Sequence, residues 1–505
     1  MSGRRILRGM AATVTGVAVI ALAGAGVAAG IAEPAPESSP VPPQEVNVGA
    51  APLTLVCPPA PVVPTATSGQ DLDYDAQFGT GGGVSALSSQ VAVLGREGTP
   101  AEAVGGVVGT DGESVDAEGN LRLLTSSEAA PVQLVAQPSG QDTALAAGAT
   151  LARSNTGDLR GLAAGSCTEP ASSAWLVGGS TEPGSSARLT LANPGPTAVE
   201  VTAEAWGATG AIEDPQTVTV PAHDSAQVLL ESVSQEPRLA VHLSVAGGNV
   251  AASIQDTVLN GLAPAGTGTV TSTSQPQREL TIGPAPVDTD AGSATLRLVN
   301  PGTKVATVAV DVLGAKGSTS LGGAQDLKID PGTVADVALD GINTGQVSLA
   351  VDSDVPVTGS VVVARKGQPS QNDPAQRVQD RAWLPASTPA GHGVLPVVGT
   401  GKFVDSATMA LTNTSEEKAT VSLRPVGENG KAKDPVKVTV PAGSTTTVGK
   451  DLNLSGAVAV ELTGDPVLAS LTLHATPDSG PLIGLLAMTP DANTEQTVNV
   501  RLGRF

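Results

Sequence analysis

The sequence predicts an all-β chain: tandem immunoglobulin-like β-sandwich domains behind an N-terminal signal-anchor transmembrane helix. Three observations predict it: a motif that recurs at domain spacing, period-two alternation of apolar and polar residues, and abundant Gly (60) and Pro (39) with only 15% charged residues. That composition suits short strands and turns better than long surface helices, whose wet faces need Glu, Lys and Arg. At 505 residues the chain exceeds one core, and 40% apolar residues leave enough to bury.

Arg4, Arg5 and Arg8 form a basic tail over residues 1–8, followed by the uncharged stretch 9–32, which is long enough for a helix to cross a bilayer. The basic flank is expected to stay in the cytoplasm and the bulk of the chain to lie outside it. This holds whether the segment is retained as an anchor or cleaved around Ala28, Ala29 and Ala32. Residues 33–50, with Pro34, Pro36, Pro40, Pro42 and Pro43, read as an extended linker, because consecutive prolines forbid regular hydrogen bonding.

Residues 51–170 read as an N-terminal β domain without a clear copy of the repeat. It contains both cysteines of the chain, Cys57 and Cys167. In an oxidising compartment one disulfide closing this domain is the natural expectation, with two buried thiols as the alternative. Closing so long a loop would contribute about 4–5 kcal/mol through the unfolded state.

The repeat follows. Ala187-Arg-Leu-Thr-Leu-Ala-Asn-Pro-Gly195 matches Ala294-Thr-Leu-Arg-Leu-Val-Asn-Pro-Gly302 and, more loosely, Ala407-Thr-Met-Ala-Leu-Thr-Asn-Thr-Ser415. The copies recur at roughly 110-residue spacing, the length of one sandwich domain. Each continues into an alternating strand that ends at Trp206, Leu313 or Val426 with a glycine behind it, and then into a strand stopped by proline (Pro221, Pro331, Pro441). This gives repeats over 171–275, 279–370 and 380–505, with Gly266–Arg278 and Gly367–Gln379 as inter-domain linkers and Thr497–Leu502 as a closing strand. The residues Asn193, Pro194 and Gly195, their counterparts Asn300, Pro301 and Gly302, and Asn413 read as structural turns: Asn bonds its own turn, Pro ends strand pairing and Gly accepts positive φ.

Catalytic and metal-binding patterns are scarce. None of His223, His242, His392 and His474 has a second ligand at zinc-site spacing, and no nucleophile elbow, phosphate loop or free thiol is visible. The chain therefore reads as a non-enzyme without cofactors. Asp71, Asp73 and Asp75 alternate as calcium ligands would, but Ala76 and Gly82 stand where a calcium loop needs Gly and a bidentate acid, so a solvated acidic loop is expected. Seven aromatics (three Trp, three Phe, one Tyr) argue against stacking-based recognition, and a net charge of −21 repels nucleic acid. Trp175 and Trp383 are expected to be buried at domain junctions.

The anchor, the early Leu55-Val-Cys-Pro58, Cys167 ahead of Trp175-Leu-Val-Gly-Gly179, and Leu191-Ala-Asn-Pro-Gly195 together resemble a family of actinobacterial envelope proteins known only as a domain of unknown function. The resemblance implies an extracytoplasmic protein with an envelope-assembly partner such as a membrane glycosyltransferase, and it supplies no catalytic residues. The expected function is a tethered rod of domains acting as a structural or adaptor scaffold; a module binding cell-wall glycan or a surface ligand is the alternative. Oligomeric state is left open.

Overall fold

The computed structural model describes residues 44–47, 50–63, 78–79, 83–96, 102–110, 112–288, 291–492 and 497–500. The helix expected over 9–32, most of the Pro-rich stretch, and Asp71, Asp73 and Asp75 lie outside these residues. The described residues are all-β, with a helical turn at Leu230–Ser232, and among them no helix is long and apolar enough to cross a membrane. The chain divides into two bodies. In the smaller, Gln44–Asn47 pairs antiparallel with Thr497–Val500, so the strand expected to close the third repeat (380–505) pairs outside that repeat instead. The larger spans Gly49–Thr494.

The larger body is built from one strand plan. In residues 173–271 the strands run Ser173–Val177, Ser185–Asn193, Val199–Trp206, Gln216–Val220, Asp224–Leu229, Ala240–Ala246, Ala251–Asn260 and Ala263–Thr271. The first, sixth, third and fourth form one four-stranded sheet; the fifth, second, seventh and eighth form another. Alternation turns Leu176, Val201, Leu243, Leu189, Leu191 and Ile254 inward, where both sheets share one core. Each such Leu or Ile contributes about 1.5–3 kcal/mol by leaving water. The pairings of second with fifth and third with sixth are those of immunoglobulin domains. The first strand, however, pairs with the sixth and the seventh with the second, so the immunoglobulin-like order expected from the repeat is not the one observed.

The same plan appears in residues 277–385 and 390–487, where the sixth and seventh strands fuse into Gly345–Pro369 and Ala457–Ala475 and pass from one sheet to the other. It also appears in residues 53–166, where the sequence shows no repeat. There Leu53–Cys57, Val132–Ala136, Ala103–Val107 and Glu113–Ser114 form the first sheet; Leu121–Ser126, Ala86–Leu94, Leu145–Ser154 and Gly161–Ser166 form the second, which Asp116–Glu118 extends as an added edge strand beside Leu121–Ser126. The N-terminal domain is thus a fourth module. Its second strand ends at Leu94, paired with the first residue of the seventh strand as Ala192 is, and the next position holds Gly95 where the other modules have Asn. Without that Asn the copy carries no signature.

Both expected linkers are corrected. Residues 266–271 belong to the eighth strand of module 2, and Arg377–Pro385, with Trp383, is the eighth strand of module 3. Module 3 therefore extends past residue 370 to Pro385, and module 4 begins at Ala390 rather than 380. The first of these strands reads as a linker because close contact between backbones makes it rich in small residues. A Cβ on Gly266 would lie 2.6 Å from the Arg381 nitrogen, and one on Gly484 2.9 Å from the Ala164 Cβ.

Nor are the modules a rod. The end of each third strand meets the next module: Val108 packs with Ala192 and Ala251, Trp206 with Val299 and Val334, and Val426 with Leu94 and Leu121 of module 1. The Leu313 carbonyl accepts a 2.7 Å bond from Thr445 of module 4. Head-to-tail contacts of one kind either close into a ring or run on as a filament. Here the contact between modules 4 and 1 closes it.

Candidate functional site

The four eighth strands, edge strands of their own sheets, converge where the modules meet. Unpaired edge N–H groups buried there would each cost free energy. One side chain answers two of them. Asp380 is fully buried, and its Oδ2 accepts the N–H of Leu162 from module 1 (3.1 Å) and of Ile483 from module 4 (2.7 Å), while Oδ1 accepts the N–H of Arg381 (2.8 Å). Burial pushes its carboxyl up to about 7, against the pull of these donors and of the Arg160 charge.

Arg160, 1% exposed, binds the carbonyls of Gln379 (2.8 Å) and Gly480 (2.9 Å) and the Ser479 hydroxyl (3.2 Å), so its fork joins modules 1, 3 and 4. Burial lowers its pKa and the Asp380 charge raises it. Module 2 enters through Asp256, which accepts bonds from Arg381 (2.9 Å) and the Trp383 indole (2.8 Å).

A second polar cluster lies on the seam between modules 1 and 4. Arg96 donates to both oxygens of Asp491 and to the Thr143 carbonyl (2.8 Å). His392 Nδ1 lies 2.7 Å from Asp491 and its Nε2 3.4 Å from Glu461. Asp491 first, then Glu461, raises His392 to about 9, so the ring is an imidazolium at neutral pH. His474 is shifted down by burial, and exposed His223 sits at φ 52°, where the aligned turns hold Gly332 and Gly443. Among the described residues no three His, Cys, Asp or Glu are grouped to hold a metal.

Cys57 and Cys167 are joined by a disulfide in the core of module 1. The three turn asparagines form one network repeated three times. Buried Asn193 donates to the Thr197, Val220 and Pro221 carbonyls (2.8, 3.2 and 2.9 Å), and its Oδ1 accepts the Gly195 N–H (2.9 Å). Asn300 repeats this with Lys304, Ile329, Asp330 and Gly302; Asn413 does so with Glu417, Val440, Pro441 and Ser415. The amide therefore pins the end of the second strand to the end of the fourth, across the two sheets. Pro194 and Pro301 follow the Asn and lie just outside the second strands. Trp175 and Trp383 are 6% and 4% exposed at module junctions.

Sequence reasoning missed Asp380 and Arg160. Asp380 in the strand Arg377–Pro385 and Arg160 just before Gly161–Ser166 carry no spacing signal, and their partners lie more than a hundred residues away. What fold and hub define is an all-β, disulfide-bonded protein whose four modules close around a buried polar centre. It belongs to a family of unknown function (DUF5719), which it matches over residues 124–450, more than half of the chain. The match begins in the fifth strand of module 1 and takes in all three Asn networks and Cys167. Comparison with curated proteins and with solved structures gives no match.

Proposed function

We propose that this chain is an extracytoplasmic cell-envelope protein of actinobacterial type, tethered by its N-terminal segment, that serves as a rigid scaffold for an envelope-assembly partner such as a membrane glycosyltransferase. The observation that carries this reading is the ring itself. Asp380, Arg160 and the eighth strands spend the buried polar chemistry on holding modules together, which leaves outer sheet faces and turns as the working surface. A disulfide fits an oxidising compartment, and Arg4, Arg5 and Arg8 before the uncharged stretch fit a membrane tether. In this reading the modules are a re-ordered variant of immunoglobulin-like sandwiches, a class that commonly presents surfaces to partners.

A second reading, a module for wall glycan or a surface ligand, is favoured by one groove. It has a volume of about 430 Å³ on the outer face of module 3, lined in part by Glu279, Thr281, Asp311, Asp352 and Thr388. In-cell crosslinking of tagged full-length protein separates the two. Enrichment of one polytopic membrane enzyme over an anchor-only control is expected; recovery of wall glycan alone would replace the scaffold reading with the second.

A further inference from the structure

On the outer face of the first sheet of module 2, three adjacent strands bring together Ser173, His242 and Glu204. His242 stands directly opposite Trp175 on the first strand and Glu204 on the third, and Ser173 lies two residues before Trp175 on the same face. The Ser173 hydroxyl is 2.9 Å from His242 Nε2, and His242 Nδ1 is 3.1 Å from the Glu204 carboxylate. Trp175 stacks on the imidazole with centroids 4.6 Å apart and is itself backed by Trp206 at 4.9 Å, so the ring is held flat against a buried aromatic pair. Ser173 is half-buried, and the His242 and Glu204 side chains are 20% and 48% exposed, so the cluster opens to solvent.

Such a constellation is recognised by geometry and roles rather than by chain order. Here the hydroxyl meets one ring nitrogen and the carboxylate the other, the arrangement in which a histidine can take the hydroxyl proton while the acid fixes its tautomer. The exposed side-chain amide of Gln275 donates a long 3.5 Å bond to the Ser173 carbonyl, which keeps a polar donor on the residue that carries the hydroxyl. Module 4 sets His392, Glu461 and Arg424 at comparable positions of its first sheet, with no hydroxyl on the ring. The serine is particular to module 2.

We propose that Ser173 is a nucleophile for short-chain acyl esters, with His242 as its general base, Gln275 as the oxyanion donor and Glu204 as a positioning residue. The Ser173 oxygen bonds to the ester carbonyl carbon while its proton passes to His242 Nε2. The carbon–alkoxide bond then breaks, and the imidazolium returns that proton to the leaving alcohol. Water, deprotonated by the same imidazole, releases the acyl group as a carboxylic acid and restores the serine. A cluster set on a solvent-facing sheet suits an acetyl-sized group better than a long chain.

The test is labelling of the full chain with a fluorophosphonate probe, together with hydrolysis of p-nitrophenyl acetate. One equivalent of label on the peptide containing Ser173 is expected, with label and turnover lost in Ser173→Ala. The rate should fall about 100-fold or more in His242→Gln and about 10-fold in Glu204→Gln. Glu204→Gln should also displace the pH midpoint of labelling, which a merely structural carboxylate would leave in place. Thermal melts of the three variants within a few degrees of the parent, as expected of a solvent-facing site, would tie the losses to chemistry. No label, label surviving in Ser173→Ala, or an undiminished rate in His242→Gln would overturn the proposal. The outcome is independent of whether a scaffold partner is found.

Discussion

Module 1 and modules 2–4 share a strand plan but solve the same closure problem differently. In modules 2–4 a buried Asn amide ties the second strand to the fourth across the sheets, three times over with the same partners. Module 1 has Gly95 at that position and a disulfide from its first strand to the residue after its eighth. One staple is a set of four hydrogen bonds and the other a covalent bond. The comparison teaches that the order of strands survives when the residues marking it do not, because the pattern of inward Val, Leu and Ala preserves it.

The largest expected effect is on what both kinds of module share, the hub. Asp380→Ala leaves the Leu162 and Ile483 N–H groups buried without an acceptor and Arg160 without its counter-charge, and should cost about 3–5 kcal/mol. Hydrogen exchange should show both amides losing protection together although they lie in modules 1 and 4. If only module 3 loosens, the hub is not shared.

Next come the two staples. Cys57→Ser with Cys167→Ser should cost about 2–5 kcal/mol by urea denaturation and act first on module 1. Asn193→Ala, Asn300→Ala and Asn413→Ala should each cost about 2–4 kcal/mol, since several buried carbonyls lose their donor at once. Unequal costs among the three would show that the networks are alike in geometry but not in energy.

The seam cluster gives a smaller, pH-dependent term. The folded pKa of His392, about 9, lies above its ordinary 6.5, so the stabilisation is complete below pH 6.5 and is lost as pH rises through 9. Allowing for partial exposure it amounts to about 1–2 kcal/mol. His392→Gln should flatten stability between pH 6.5 and 9; an unchanged slope would place the titration elsewhere. The smallest effect is His223→Gly, which relieves a left-handed residue where the aligned modules already have Gly and should gain about 0.5 kcal/mol. A clear loss on melting would mean that the His223 side chain has a role of its own.

The all-β class and the disulfide could be read in advance because each rests on local chemistry: period-two strands, and a pair of cysteines in one compartment. The ring could not. Closure is a property of module surfaces, written in single residues such as Val108, Leu313 and Val426 that look like ordinary strand ends. The hub was hidden for the same reason. Two of its strands, Ala263–Thr271 and Gly161–Ser166, are rich in Gly, Ala, Thr and Ser, a composition shared by linkers, and the close approach of neighbouring backbones explains it. Ser173, His242 and Glu204 meet through strand register alone, which no spacing rule anticipates.

The central claim is that the four modules close on one another, and small-angle X-ray scattering of the larger body alone, Gly49–Thr494, tests it most directly. A closed body of this length should have a radius of gyration of about 22 Å. Four modules strung end to end would give a value on the order of 40 Å, with a long tail in the distance distribution, and would contradict the account.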